Sequence, residues 1–307
     1  MQCAGAAKPG VFTAICARIR RMKFLAFLTP ILLIFARSAT GQQNASHRVE
    51  LPNTEVRLMS AKSNDIAYKL YVSLPPSYAD GKKSYPVVFM LDADYSFALA
   101  KNISEHLSDR SDLPELLLVA IAYDGPPQYR LHRTRDYTPT HVPTGGYGPE
   151  YQKLSGGAPK FRGFLQGELI PFIEANYRVT KERTLVGHSY GGLFGVWVLF
   201  TQPELFSHYI LVSPSLWYDN KMMFRVEQEF AAKQRRLSAK VYLTVGSREV
   251  HVERNIVRDL QALTEQIKGH SYRGLSLQSR VMDDETHNTI FPLGLTRGLR
   301  FLYPVQR

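Results

Sequence analysis

The sequence predicts an α/β fold with a mainly parallel central sheet of about eight strands and helices on both faces. Short β-branched and aliphatic runs alternate with longer helical patterns, as in sheets built from strand–helix–strand units. Two of the runs, 87–91 and 116–121, are apolar at every position, which is typical of central strands covered on both faces. The 307 residues are 44% hydrophobic and 21% charged, an ordinary globular composition with enough apolar material for a core.

The predicted elements follow in chain order. The strands are expected at 55–60, 68–73, 86–91, 116–122, 184–187, 209–213, 241–245 and 275–281. The first two strands are expected to form an antiparallel edge. The helices are expected at 161–177, 193–200, 222–233, 254–267 and 290–301. The first helix has an apolar stripe near the 3.6-residue period, and Pro171 inside it predicts either a kink or a helix that begins there.

The first 41 residues differ from the rest of the chain. They carry six basic residues and no acidic one, and their apolar run, 24–36, is shorter than the ~20 residues of a membrane span. The small residues at 39–41 then favour a secretory signal cleaved before Gln42, with Met22 as an alternative start. We therefore expect a signal peptide at 1–41, a single domain at 42–307, and a periplasmic or secreted protein without a stable membrane span after cleavage. The alternative is a buried or membrane-anchoring N-terminal helix.

Cleavage of this segment would change the charge and the thiol content. The formal net charge would fall from +11 to +5, so the high isoelectric point is weak support for nucleic-acid binding. Cys3 and Cys16 would both be lost, which leaves no disulfide and no cysteine-based metal site. We expect neither a nucleic-acid partner nor a metal or other cofactor.

The segment 124–160 breaks the alternation of strands and helices. It is rich in Gly, Pro, Tyr and Arg, has no periodicity, and is predicted to be a long loop. Its aromatic and arginine content favours a rim or lid over a site. The alternative is a mobile surface excursion.

A serine lies between two glycines in the stretch 186–192, VGHSYGG, between a predicted buried strand and a predicted apolar helix. Gly187-x-Ser189-x-Gly191 in that context is typical of a nucleophile elbow, which lifts a serine hydroxyl out at the carboxyl edge of a sheet. The backbone N–H of Tyr190 would then open the helix and donate to an oxyanion. The alternative is a structural turn whose glycines allow close contact between helix and sheet.

A serine nucleophile needs a base, and in this arrangement the acid and the histidine follow the serine along the chain. His287 is the predicted base, because it lies in the polar turn after the last strand, where the chain returns to the carboxyl edge. The other downstream candidates are His208, His251 and His270. His208 directly precedes a strand and His270 lies in a turn expected at the opposite end.

Glu249 is the predicted acid, because it follows the strand at 241–245. It would hold the imidazole in one tautomer and stabilise the imidazolium. Competing carboxylates are Glu253, Asp259, Asp283 and Asp284. Two further alternatives are a surface pair between Glu249 and Arg248, and a Ser–His dyad with no strong acid.

The second oxyanion donor is expected in the loop after the strand at 86–91. We predict the backbone N–H of Asp94 or of Tyr95. The alternative interpretation of Asp92 and Asp94 is helix N-capping.

From about residue 56 to 303 the chain resembles the putative-esterase branch of the α/β-hydrolases, which includes bacterial ferric-siderophore esterases acting on enterobactin and bacillibactin. The resemblance is carried by the stretches LDAD at 91–94, RTRDYTP at 133–139, FLQGELIPFI at 164–173, GHSYGGLF at 187–194, SPSLWYDN at 213–220 and HN at 287–288. The family usually has glycine where Ala93 stands, a departure in the predicted oxyanion loop.

The resemblance implies an α/β-hydrolase domain with Ser189 as nucleophile and His287 as base. It also implies that Trp217, Tyr218 and Tyr95 are pocket walls, although all three fit core aromatic positions as well. Three arginines of the long loop are candidates to attract an anionic substrate: Arg130, Arg133 and Arg135. The alternative for Arg135 is an ion pair with Asp136 that pins the loop to the body.

The predicted function is a serine carboxylic-ester hydrolase for a small-molecule ester, and the resemblance implies ferric-siderophore trilactones. Alternatives are an esterase of small acyl or aryl esters and an acyltransferase. A binding protein on a hydrolase scaffold is the non-enzymatic alternative. The oligomeric state stays open at this stage.

Overall fold

Eight strands form one mixed sheet in the order β1-β2-β4-β3-β5-β6-β7-β8. The structure is a computed structural model, and it describes residues 48–126, 128–251 and 254–305. The strands are β1 Thr54–Ala61, β2 Ile66–Ser73, β3 Tyr85–Met90, β4 Leu117–Tyr123, β5 Val179–His188, β6 His208–Val212, β7 Arg236–Gly246 and β8 Arg273–Met282. Each predicted strand is present, with ends that differ by up to five residues.

The sheet is antiparallel at one edge and parallel elsewhere. β1 pairs with β2 and β2 pairs with β4 in antiparallel register, which confirms the predicted antiparallel edge. All pairs from β4 to β8 are parallel. The carboxyl ends of β3, β5, β6, β7 and β8 therefore meet at one edge of the sheet, where ligands bind in folds of this kind.

Helices cover both faces of the sheet. They are α1 Ala93–Asp109, α2 Tyr129–Tyr137, α3 Pro149–Gln152, α4 Ala158–Phe164, α5 Ile170–Asn176, α6 Tyr190–Thr201, α7 Tyr218–Lys233, α8 Ile256–Gly269 and α9 Ile290–Leu302. In β3, Val88 and Met90 pack against α1 and α9 on one face of the sheet. Val87 and Phe89 belong to the hydrophobic core on the opposite face. This alternation explains why the central strands are apolar at every position.

Two parts of the chain are more helical than the sequence predicted. The segment 124–160 contains α2, α3 and the start of α4, and α1 lies where no helix was predicted. α2 has little apolar periodicity because its inward side is held by polar contacts, among them that of Asp136 with the Tyr68 hydroxyl on β2, at 2.8 Å. Polar burial of this kind leaves no hydrophobic period in the sequence.

The predicted helix at 161–177 is continuous but changes its winding. α4 passes through a π-helical turn, Leu165–Leu169, into α5. Pro171 lies just after this π-helical turn and has no N–H to donate into the continuous helix, so the change in winding coincides with a missing backbone hydrogen bond. The predicted signal peptide, Cys3 and Cys16 lie outside the described residues. Across the ranges that are described, no helix is long and apolar enough to span a bilayer.

Candidate active site

Ser189 stands alone between β5 and α6 in a strained conformation. Its φ and ψ are 59° and −115°, a region that residues with side chains rarely adopt. The turn closes so tightly that a Cβ on Gly187 would lie 2.3 Å from the carbonyl oxygen of Gly191. Glycine at this position is therefore a steric requirement of the turn.

The elbow is tied to the neighbouring strand by backbone hydrogen bonds. The Ser189 N–H donates to the Val212 carbonyl at 2.9 Å, and the Ser215 N–H donates to the Ser189 carbonyl at 3.1 Å. The Ser189 hydroxyl lies 3.4 Å from the Ser215 hydroxyl. These contacts hold the serine at the carboxyl edge of β5 and β6.

The structure brings His287 and Glu249 into direct contact. His287 Nδ1 lies 2.6 Å from Glu249 Oε2. The other carboxylate oxygen accepts from the Ser213 hydroxyl at 2.5 Å and from the Gly246 N–H at 2.8 Å. Glu249 is 1% exposed, so these three partners satisfy a fully buried carboxylate.

Ser189, Glu249 and His287 all line one pocket of about 390 Å³. The Ser189 hydroxyl contacts Ser215 in this structure rather than His287. Catalytic hydrogen bonds are often long or misdirected without substrate and tighten when it binds. The arrangement can therefore support nucleophilic attack once the hydroxyl turns toward the imidazole.

Two backbone N–H groups at the starts of helices are candidates for the oxyanion donors. Tyr190 is the first residue of α6 and Asp94 is the second residue of α1. The N–H of Tyr95 is already engaged by the Asp92 carbonyl, at 3.4 Å. Since the first N–H groups of a helix have no partner within it, Asp94 fits the oxyanion role better than Tyr95.

Arg133 forms a buried ion pair that joins three parts of the site. Its guanidinium contacts the two Asp92 oxygens at 2.7 and 3.2 Å and donates to the His188 carbonyl at 3.0 Å. Burial works to lower the pKa of Arg133, but the neighbouring Asp92 outweighs it and the pKa is raised well above its ordinary value. Arg133 is thus not free to attract a substrate, and Asp92 makes no side-chain cap at α1.

The three predicted substrate-binding side chains have different environments. Trp217 lines the pocket. Tyr95 is not among the lining residues, and its hydroxyl pairs with His188 Nδ1 at 3.0 Å. Arg135 is also outside the lining set and is paired with Asp136 at 2.7 Å, which favours the ion-pair alternative over substrate contact.

Several competing candidates are engaged elsewhere. His208 lies 3.3 Å from Glu182, and His270 lies 2.7 Å from Glu227. Among the alternative acids, Asp259 pairs with Lys221 at 2.7 Å and Asp284 pairs with Arg248. Glu253 lies outside the described residues. His251 lines the pocket, but the histidine that is hydrogen-bonded to Glu249 is His287.

Sequence reasoning did not single out Arg254 or Tyr147, which both lie in the pocket wall. The Arg254 guanidinium lies 4.2 Å from the centre of the Trp217 ring, a close cation–π contact. Tyr147, from the segment predicted as a rim, also lines the pocket. The position of Arg254 just before α8, at the carboxyl edge, was the signal available in the sequence. No group of three or more metal-ligating side chains occurs in the part of the chain that the structure describes.

The chain matches one protein-family model and is similar in sequence to several named relatives. A family model described as "Putative esterase" matches residues 62–301. A ferri-bacillibactin esterase of Bacillus subtilis, BesA, is 30% identical over 273 residues, which cover 84% of this chain and 93% of the relative. A siderophore enterobactin esterase of Emericella nidulans is 27% identical, with 79% of this chain and 91% of the relative covered.

Solved structures give the same grouping. An IroE-like serine hydrolase from Shewanella oneidensis superposes with a TM-score of 0.73 at 26% identity, covering 81% of this chain and 80% of its own. The BES protein from Bacillus cereus superposes with a TM-score of 0.74 at 28% identity, covering 85% of this chain and 100% of its own.

Proposed function

The chain belongs to the putative-esterase family of α/β-hydrolases, and from this premise we propose that it is a serine carboxylic-ester hydrolase that uses Ser189, His287 and Glu249. The observation that carries the proposal is the 2.6 Å contact between His287 and a buried Glu249 in the pocket that also holds the strained serine. A histidine ordered by a carboxylate beside an elbow serine has the geometry of a catalytic triad.

The mechanism follows from these positions. Ser189 Oγ attacks the ester carbonyl and His287 Nε2 takes its proton, because Nδ1 keeps its own proton in the hydrogen bond to Glu249. The N–H groups of Tyr190 and Asp94 stabilise the oxyanion. His287 then protonates the departing alkoxide, and a water molecule activated by the same imidazole releases the acyl group from Ser189.

Glu249 supplies a negative charge that is already compensated in the resting site. Two donors hold one of its oxygens and His287 holds the other. When the imidazolium forms, this carboxylate stabilises it without rearrangement, which is the advantage of a preorganised site.

We propose that the substrate is an anionic ester, with iron-loaded siderophore trilactones as the leading class. The named relatives are siderophore esterases, and this pocket offers a matching charge. Arg254 stacks on Trp217 and forms no ion pair with a described carboxylate, so its charge is available to a ligand. A ferric tris-catecholate complex carries a high negative charge and planar aromatic rings, which suit a cation above an indole.

The test is hydrolysis of a p-nitrophenyl ester series and of a ferric trilactone siderophore by the protein and by Ser189→Ala. We expect the variant to lose activity on both substrates by several orders of magnitude while its thermal unfolding is unchanged. Full turnover by Ser189→Ala would overturn the mechanism. Formation of an acyl-enzyme that is released by an alcohol faster than by water would favour the acyltransferase alternative.

The substrate class is tested separately with Arg254→Gln. We expect about a tenfold loss of kcat/KM on the ferric complex and little change on a neutral p-nitrophenyl ester, since an interaction with one charge is worth about 1–2 kcal/mol here. Equal effects on the two substrates would contradict charge recognition by Arg254. We further propose that the predicted leader, 1–41, directs the enzyme to the periplasm or the exterior.

A further inference from the structure

His188, the residue before the serine, packs directly against the proposed base. Its ring centroid lies 4.6 Å from that of His287 at an interplanar angle of 35°. The ring centroid of Phe291, in the first turn of α9, lies 5.8 Å from that of His188. His188 is 9% exposed and is absent from the pocket lining. The proposed base therefore has a buried aromatic neighbour that lies outside the pocket lining.

The His188 ring is oriented from α1. Its Nδ1 lies 3.0 Å from the Tyr95 hydroxyl, and the rings of these residues meet edge to face at 6.2 Å. The Tyr95 ring itself packs edge to face on Phe291 at 5.3 Å. His188 Nε2 is buried without a hydrogen-bond partner among the described residues. The Tyr95 hydroxyl is thus a polar contact that restrains the rotation of the His188 ring.

His188 is held in its neutral form. Burial lowers the pKa of His188 well below its ordinary value, the nearby His287 imidazole and Arg133 guanidinium act in the same direction, and a backbone contact with His287 acts against them. The titratable groups that face His188 are Tyr95 from α1, His287 from the turn after β8 and Arg133 from α2, the last paired with Asp92. A neutral ring beside His287 does not oppose the imidazolium that forms during catalysis, whereas a cation would.

We propose that Tyr95 and His188 form a positioning pair for His287: the Tyr95 hydroxyl fixes the His188 ring, and that ring fixes the orientation of the His287 imidazole. The inference rests on the proposed esterase mechanism. The hydrogen bond to Glu249 restrains one nitrogen of His287 but permits rotation of the ring about that bond. Packing against His188 restricts this rotation, so that Nε2 is held in one orientation for the serine hydroxyl to meet.

The consequence is a loss in kcat rather than in KM. Neither Tyr95 nor His188 lines the pocket, so we expect substrate binding to change little when the pair is broken. Tyr95→Phe removes the hydroxyl and keeps the ring on Phe291. We expect about a tenfold lower kcat on a p-nitrophenyl ester with KM within about twofold. His188→Asn should lose at least as much, and Tyr95→Phe should cost nothing further in the His188→Asn background.

Tyr303→Phe is the control for loss of a hydrogen-bonded tyrosine hydroxyl outside the pocket, because the Tyr303 hydroxyl lies 2.5 Å from the Thr184 hydroxyl. It should leave kcat unchanged even if its thermal unfolding temperature falls as much as that of Tyr95→Phe. The rate at which a p-nitrophenyl phosphonate labels Ser189 reports on the base without turnover, and it should fall in parallel with kcat.

Equal kcat for Tyr95→Phe and Tyr303→Phe would overturn the inference, as would losses that multiply in the double variant. Failure of the proposed function itself is recognised separately. If the esterase mechanism is wrong, Ser189→Ala retains activity. If the mechanism is right and only the positioning pair is wrong, Ser189→Ala is inactive while the Tyr95 and His188 variants keep the wild-type kcat.

Discussion

Replacing Glu249 by glutamine changes one atom and should nearly abolish catalysis. The site decides which way the new amide points. The Gly246 N–H, 2.8 Å from Oε1, is a fixed donor and requires an oxygen opposite it. The glutamine NH₂ is therefore placed toward His287, where the carboxylate oxygen now lies 2.6 Å from Nδ1.

An amide donor in that position reverses the tautomer of His287. Nδ1 becomes the acceptor and the proton moves to Nε2, which can then no longer take the proton from Ser189. The equivalent change in a well-studied serine protease lowers kcat by about 10⁴-fold. We expect a loss of about 10³–10⁴-fold for Glu249→Gln, or about 4–5.5 kcal/mol of transition-state stabilisation.

The assay is kcat/KM on a p-nitrophenyl ester, with thermal unfolding measured in parallel. Glu227→Gln is the matched control, because Glu227 is also fully buried and lies 2.7 Å from a histidine Nδ1, that of His270, outside the pocket. The control should keep wild-type kcat/KM. Activity of Glu249→Gln within tenfold of wild type would refute the assignment of Glu249 as the acid. It would favour catalysis by a Ser–His dyad instead.

Three further predictions concern the framework of the site. Gly192→Ala places a Cβ 2.9 Å from a backbone carbon and should cost about 1–3 kcal/mol in thermal unfolding, whereas Gly269→Ala, with open space, should be neutral; equal melting temperatures would contradict the steric argument. Arg133→Gln leaves Asp92 buried without its cation and should cost about 3–5 kcal/mol in urea unfolding; a loss below 1 kcal/mol would show that the pair is dispensable. Burial lowers the pKa of His208 to about 4 from 6.5, so its contribution to stability is complete above pH 6.5 and is lost as the pH falls through 4. His208→Gln should make the urea concentration at the midpoint of unfolding less dependent on pH between about 4 and 6.5. An unchanged pH dependence would refute the contribution of His208.

Local patterns in the sequence were enough to predict the sheet and the position of the elbow. A run that is apolar at every position, such as 87–91, has few stable places other than the middle of a covered sheet. Glycines on both sides of Ser189 report a turn in which a side chain would collide with the backbone. Each of these two patterns lies within about ten consecutive residues, so each can be recognised without knowledge of the rest of the chain.

The environment of each charged side chain could not be predicted in this way. Arg133 and Arg135 are two residues apart in α2, yet Arg133 is 2% exposed against Asp92 while Arg135 pairs with its neighbour Asp136. Their partners come from β3–α1 and from α2 itself, and nothing in the sequence RTRD distinguishes them. Burial of an arginine depends on which surface its helix packs against, and that is a property of the assembled fold.

The sequence alone determined the order of the eight strands along the chain and the placing of Ser189, Glu249 and His287 after three different strands, because these depend on periodicity and on turn chemistry within short segments. Only the tertiary structure decided that His287 meets Glu249, that the Tyr95 hydroxyl contacts His188, and that Arg254 stacks on Trp217 in the pocket wall. These contacts join residues that are 38, 93 and 37 positions apart, and a side chain chooses among such distant partners only after the core has packed.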